Sequence, residues 1–150
     1  MKDIFDKTIS NEIIERINLL TPNTKRKWGK MTVDQMLAHC NVTYELIYDN
    51  KHPKPKGLKK WILKTIVKNF VVSKKTYKRN GRTAAQFLVR NVKDFKKEKE
   101  RLISYIIKTQ KLGSDYFDNK ESHSFGNLTI TEWNNMIYKH LTHHLNQFGV

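Results

Sequence analysis

Cysteine is nearly missing from this chain. Cys40 stands alone among 150 residues, so no internal disulfide can form. A run of about 18 apolar residues, the length a membrane-crossing helix needs, is also absent. The opening residues, Met1-Lys2-Asp3-Ile4-Phe5-Asp6-Lys7, carry no apolar core of the kind a secretory signal has. Together these absences predict a protein of the reducing cytoplasm with no integral membrane association. Two further things are lacking: an internal repeat, and any sustained alternation of apolar and polar residues. No sheet is therefore expected. The length suits one domain, residues 1–150, built on one core.

Acidic residues are scarce in the middle. Residues 51–111 hold 20 Lys or Arg against Asp94, Glu98 and Glu100, a net of +17, while the rest of the chain sums to −2. Such a segment can attract nucleic acid or an anionic surface. The alternative is an ordinary solvated helix face written in lysine. Lys59, Lys60, Lys64 and Lys68 lie between apolar residues, as on such a face. No recognised nucleic-acid motif accompanies them, which argues against nucleic acid as the partner.

What is present is helical periodicity. Ile9, Ile13, Ile14, Ile17 and Leu20 recur at helical spacing, with Ser10 as the expected N-cap and Thr21-Pro22-Asn23 as the stop. Thr32-Val33-Asp34-Gln35 is a capping box that starts a second helix, with Val33, Met36, Leu37, Cys40, Tyr44 and Ile47 inward. Asp49 to Gly57, with Pro53 and Pro55, is a break, and His52 is expected to be exposed there. Leu58 to Val72 reads as a short basic amphipathic helix with Trp61, Ile62, Thr65, Ile66 and Phe70 inside. Such a helix also suits a membrane surface, but packing on a bundle is the expected use. Ser73 to Arg82 is a polar basic loop, a candidate mobile segment, and Thr83 to Asn91 has no clear pattern. Phe95, Leu102, Ile103 and Ile106 define a long helix from about Val92 to Lys111, stopped by Gly113. Ser114 to Asn127 is read as a loop. A second capping box, Thr129 with Glu132, opens the last helix. Four main helices, one extra short helix and no sheet make an all-α bundle the expected architecture.

The last helix carries the chemistry. Trp133, Ile137, His140, Leu141, His144, Leu145 and Phe148 share one face, which puts His140 and His144 one turn apart within an apolar stripe, with His143 pointing away. Imidazoles at i and i+4 can grip one divalent cation. A histidine on an apolar face is also commonly a hydrogen-bonded core residue, and two nitrogens do not complete a site. On the second helix His39 lies about 60° from Met36, beside the stripe, where it can face a bundle axis or sit at the solvent edge. Cys40 lies on the stripe itself and reads as a small core residue rather than a nucleophile.

Two stretches resemble a known family. Trp28-Gly29-Lys30-Met31-Thr32 leading to Gln35-Met36-Leu37-Ala38-His39-Cys40 resembles the opening of the second helix in DinB-like proteins. His123-Ser124-Phe125-Gly126-Asn127-Leu128-Thr129, then Glu132-Trp133, then His140-Leu141-Thr142-His143-His144-Leu145-Asn146-Gln147-Phe148-Gly149 looks like one bacterial branch of that superfamily, a domain of unknown function. The branch shows His-Pro before Phe-Gly, and Ser124 stands at the second position here. The resemblance implies a DinB/YfiT-like four-helix bundle with one additional short helix. It implies a divalent metal held by three histidines, which map onto His39, His140 and His144. Superfamily relatives include transferases that use low-molecular-weight thiols, and homodimers are common among them.

The function expected on this basis is that of a metal-dependent enzyme acting on a small molecule. It is a small-thiol transferase or a hydrolase, with zinc or nickel first and iron, manganese or copper also suited to three nitrogens. Glu45, Tyr44 and His123 are the candidate general bases. The competing expectation is a non-enzymatic binding protein that acts through its basic middle segment. A metal-free enzyme using Cys40 is a third.

Overall fold

The computed structural model describes residues 1–49 and 51–150. The chain is helical apart from one short hairpin. In order it forms α1 (Lys7–Asn18), α2 (Val33–Tyr48), α3 (Gly57–Ile62), a π-helical turn (Leu63–Val67), α4 (Lys68–Val72) and a 3-10 turn (Ala85–Phe87). Then come α5 (Phe95–Phe117), β1 (Lys120–Ser122), β2 (Gly126–Leu128) and α6 (Ile130–Phe148).

The four long helices α1, α2, α5 and α6 surround one apolar core. Each buries the residues its periodicity demands: Ile13 and Ile17 from α1, Met36, Leu37 and Cys40 from α2, Leu102 and Ile106 from α5, and Trp133, Ile137, Leu141 and Leu145 from α6. Aromatic contacts tie the helix ends together. Phe117 touches both Phe5 (ring centroids 5.0 Å apart) and Trp133 (5.4 Å). Tyr44 stacks on Tyr105 at 5.3 Å, joining α2 to α5. Between the same helices Asn41, fully buried, donates to the Glu98 carbonyl (3.0 Å) and to Glu98 Oε2 (2.7 Å). Arg101 answers the remaining charge on Glu98 at 3.1 Å. A buried carboxylate survives because each oxygen has a donor.

Both capping boxes form. Gln35 Oε1 accepts from Thr32 N (3.0 Å), and Glu132 Oε2 accepts from Thr129 N (3.0 Å). The start of α1 differs from expectation. Asp6, one turn before Ser10, accepts from Thr8 N and Ile9 N and is the N-cap. Ser10 is buried inside the helix and returns its hydroxyl to the Lys7 carbonyl. A carboxylate that reaches two free N–H groups is the better terminus.

Residues 57–72 depart most from the expectation. Trp61, Ile62, Thr65, Ile66 and Phe70 were expected inside; all are exposed, Trp61 at 58% and Ile66 at 64%. The π-helical turn shifts the phase, so that Leu63, Val67 and Val71 face the protein instead. They line an open cavity rather than a closed core. Two α6 side chains hold this roof from below. Asn135 Nδ2 donates to Val72 O (2.9 Å), and buried Lys139 Nζ donates to Phe70 O (3.0 Å) and Ser73 O (2.7 Å).

Three further expectations are corrected. α5 starts at Phe95, capped by Asp94, and resumes beyond Gly113 to Phe117, Gly113 taking a non-helical φ of 71°. The expected loop after it contains the β1–β2 hairpin, paired Lys120 with Leu128 and Ser122 with Gly126. Ser122 Oγ, accepting from Phe125 N and donating to Gly126 O, closes that turn, a side-chain device no alternation pattern reveals. His52 is half-buried rather than exposed, its Nε2 2.8 Å from Glu45 Oε2. The break expected from Asp49 to Gly57 includes Asn50, which lies outside the described residues. No helix among the described residues is long and apolar enough to cross a membrane.

Replacing Asn41 by alanine removes the donor that bridges α2 to the buried Glu98. Urea unfolding is expected to show a loss of about 2 kcal/mol, the value typical of a hydrogen bond to a charged group. An unchanged midpoint would mean that Arg101 satisfies the buried Glu98 carboxylate without help from Asn41.

Candidate metal centre

Helix geometry brings three imidazoles to one point. One nitrogen each from His39 on α2 and from His140 and His144 on α6 lies within 4.8 Å of the others. His39 and His144 are buried and His140 is half-buried. The His39 and His144 rings meet at 4.5 Å between centroids, and His140 and His144 at 4.8 Å. His39 turns fully inward here, not toward the solvent edge.

Each ring is oriented from behind. His39 Nδ1 lies 2.8 Å from Phe87 O. A carbonyl only accepts, so Nδ1 carries the proton and Nε2 carries the lone pair. His144 Nδ1 lies 2.9 Å from Gln147 Oε1, and Gln147 Nε2 donates to Trp28 O at 2.9 Å. The Trp28 carbonyl thereby sets which end of the Gln147 amide accepts, and His144 also keeps its proton on Nδ1. Gly29, at φ +85°, makes this approach possible: a Cβ there would stand 2.3 Å from Gln147 Nε2. His140 Nδ1 lies 3.0 Å from Thr43 Oγ1, a hydroxyl that can donate or accept.

The front side is the test of fit. His39 Nε2 and His140 Nε2 are 3.0 Å apart. Two lone pairs at that distance repel unless a proton or a cation lies between them. Three imidazoles with their Nδ1 atoms held by polar partners and their other nitrogens gathered together form a donor set that fits a divalent cation of the zinc or nickel type. Electrostatics agree with the ligand form. Burial, and then the neighbouring rings, hold His140 well below the usual imidazole value. Burial likewise lowers His39 and brings His144 to about 3. All three are therefore neutral near pH 7, the state that binds metal.

The cluster opens into a cavity of about 920 Å³. The walls are largely apolar: Met31, Ile47, Leu63, Val67, Phe87, Phe125 and Met136 contribute. His143, expected to point away, also lines this cavity, packed edge-on to Tyr77 at 5.7 Å and to Trp28 at 6.0 Å.

The candidate bases separate. Tyr44 is buried in the tyrosine stack, and burial raises its hydroxyl far above the usual value. Glu45 is engaged by Arg101 and His52 and is not part of the cavity wall. His123 does line the cavity. Its Nε2 donates to His52 O at 3.1 Å, which leaves Nδ1 to accept, 2.8 Å from Ser124 Oγ. Cys40 is buried 3.8 Å from Met36 Sδ, and burial pushes its thiol up, away from nucleophile chemistry.

Sequence reasoning missed Thr43, Gln147 and the Phe87 carbonyl. The first two were within reach of it: Thr43 is one turn after His39, and Gln147 is three residues after His144 on the same helix. Phe87 lies on a segment without periodicity.

The depressed values give a signed pH dependence in metal-free protein. The unfolded chain takes up protons near pH 6.5, whereas folded His144 resists to about 3. Stability is full above pH 6.5 and falls as pH drops below it. Urea unfolding is expected to show a loss of about 2 kcal/mol from His144 between pH 7 and pH 5. His144→Gln flattens that slope; an equal slope in the variant would place the proton uptake elsewhere.

Residues 5–149 match a family described as "Protein of unknown function (DUF1569)". No curated protein and no solved structure matches the chain. With nearly its whole length matched, from Phe5 to Gly149, the chain belongs to the DUF1569 family.

Proposed function

We propose that this protein is a metal-dependent enzyme of the DinB-like kind, with His39, His140 and His144 holding one divalent cation at the inner end of a substrate cavity. One observation carries the reading. Three buried or half-buried nitrogens converge while each ring's other nitrogen is held by Phe87 O, Thr43 or Gln147. A core histidine without a metal needs a partner for each nitrogen; here His39 Nε2 and His140 Nε2 have only each other, 3.0 Å apart, and nitrogens gathered in this way also suit a shared cation. The resemblance of Trp28–Cys40 and His123–Gly149 to DinB-like proteins supports the same three ligands.

Such a cation, when bound, supplies Lewis acidity: it lowers the pKa of water toward about 7 or holds a substrate thiol as thiolate. Transfer of a small thiol to an electrophile is the first reaction to test, and hydrolysis the second. The protein's own part is positioning and exclusion of water. Thr43 and Gln147 fix the rings, the apolar walls keep the site dry, and His123 Nδ1, which accepts from Ser124 Oγ, reaches the cavity through that hydroxyl. Residues 1–150 act as one domain in a reducing compartment, where the buried Cys40 stays a thiol.

Metal content by mass spectrometry, on untagged protein purified without chelator, tests the reading. About one zinc or nickel per chain is expected, lost in His39→Ala, His140→Ala and His144→Ala while circular dichroism stays helical. Thr43→Val and Gln147→Leu should keep the fold and weaken metal affinity by about 10–100-fold. Wild-type protein that takes up no metal, even after incubation with zinc or nickel, would overturn the assignment.

A further inference from the structure

The cavity that opens from the histidine cluster is asymmetric in charge. Its wall includes Lys30, Lys78, Arg82 and Arg90, and no aspartate or glutamate. All four cations are exposed, and none makes an ion pair among the described residues. The absence of acids is not a matter of the wall alone. Between Asp49 and Asp94 the chain has no acidic residue at all, and this stretch supplies most of the roof and rim. Most lysines and arginines of this chain are unpaired among the described residues, and the pairs that do form, Glu98 with Arg101, Lys68 with Glu132 and Lys2 with Glu12, lie outside this wall. What sets the rim apart is that four cations share one cavity wall with no carboxylate.

The interior is of the opposite character. Leu63, Val67, Val71, Phe87, Phe125 and Met136 present hydrocarbon to the same space. The indole N–H groups of Trp28 and Trp133, both from cavity-lining residues, are buried and find no acceptor among the described residues. A volume of about 920 Å³ accommodates an extended molecule rather than a small polar metabolite.

An apolar interior with unpaired cations at its mouth is complementary to one shape of ligand. We infer that the substrate of this site is an amphipathic anion: a hydrocarbon body that fills the cavity, and a carboxylate or phosphate head held by Lys78, Arg82 and Arg90 at the rim. This rests on the cavity being the substrate site of the proposed enzyme, and it names the class of molecule that enters. A neutral hydrocarbon forgoes the rim, and a small hydrophilic anion forgoes the walls. Arginine suits either head group, since its fork pairs with both carboxylate and phosphate oxygens.

The test is isothermal titration of the full chain with dodecanoate, dodecyl phosphate and dodecanol, each below its micellar concentration, in metal-loaded and chelator-treated protein. At least one of the two anions should bind one per chain, about tenfold or more tighter than dodecanol. Which of the two binds tighter identifies the head group. Arg82→Ala with Arg90→Ala should remove most of that preference and leave dodecanol binding unchanged; both positions are exposed, so the fold is not at stake. Equal binding of dodecanol and both anions would overturn the inference. So would a preference for anions that survives the arginine replacements but vanishes on chelation, because the head would then lie at the metal. The two readings fail separately. Anion preference in a chain that holds no metal retires the metal assignment alone, and stoichiometric metal without anion preference retires this inference alone.

Discussion

The structure depends on one demand: three imidazoles placed between α2 and α6 need partners on both sides of each ring. Behind the rings the partners are built in. The Phe87 carbonyl, the Thr43 hydroxyl and the Gln147 amide take the three Nδ1 atoms, and the Trp28 carbonyl takes Gln147 in turn. These partners come from four separate places in the chain. Much irregular backbone is therefore positioned by the cluster: the Trp28–Gly29 approach and the 3-10 turn at Ala85–Phe87 are both anchored on it.

The same demand explains why the protein is closed on one side and open on the other. Toward α1 and α5 the core is continuous, and the buried Glu98 carboxylate is satisfied locally by Asn41 Nδ2 and Arg101. Toward residues 57–93 the packing on the long helices is confined largely to α4, which lies against α6 and buries Val72. The roof is held by a few directional contacts, Asn135 to Val72, Lys139 to Phe70 and Ser73, and Gln35 to Arg90. A segment held at points rather than along a face leaves volume beneath it. It also leaves Trp61 and Ile66 exposed on its outer side, where periodicity alone would have buried them.

Much of the fold was legible because helices report themselves locally. The stripes of α1, α2, α5 and α6, and the capping boxes at Thr32 and Thr129, appear as spacings in the sequence and recur in the structure. The misses share a cause. Asp6 displaced Ser10 as a cap because it reaches two N–H groups from one turn earlier. The π-helical turn changed the phase of residues 57–72, and a single side chain, Ser122, closed the hairpin. None of these leaves a periodic trace. Of the cluster, His140 and His144 were visible as an i, i+4 pair; His39 joined them only through the DinB-like resemblance.

By itself the sequence determined which residues form long helices and which faces are apolar, because a 3.6-residue period and hydrophobic burial act on neighbours. It also determined that basic charge concentrates in the middle of the chain. Only the tertiary structure decided that His39 faces His140 and His144, and that Thr43, Phe87 and Gln147 stand behind them. Only it decided that the basic segment, whose Lys59, Lys60 and Lys64 are solvated as expected, also roofs an apolar cavity. These are contacts between groups up to about a hundred residues apart, as in the pairing of His39 with His140. They are set by how whole helices pack, and no local period encodes that.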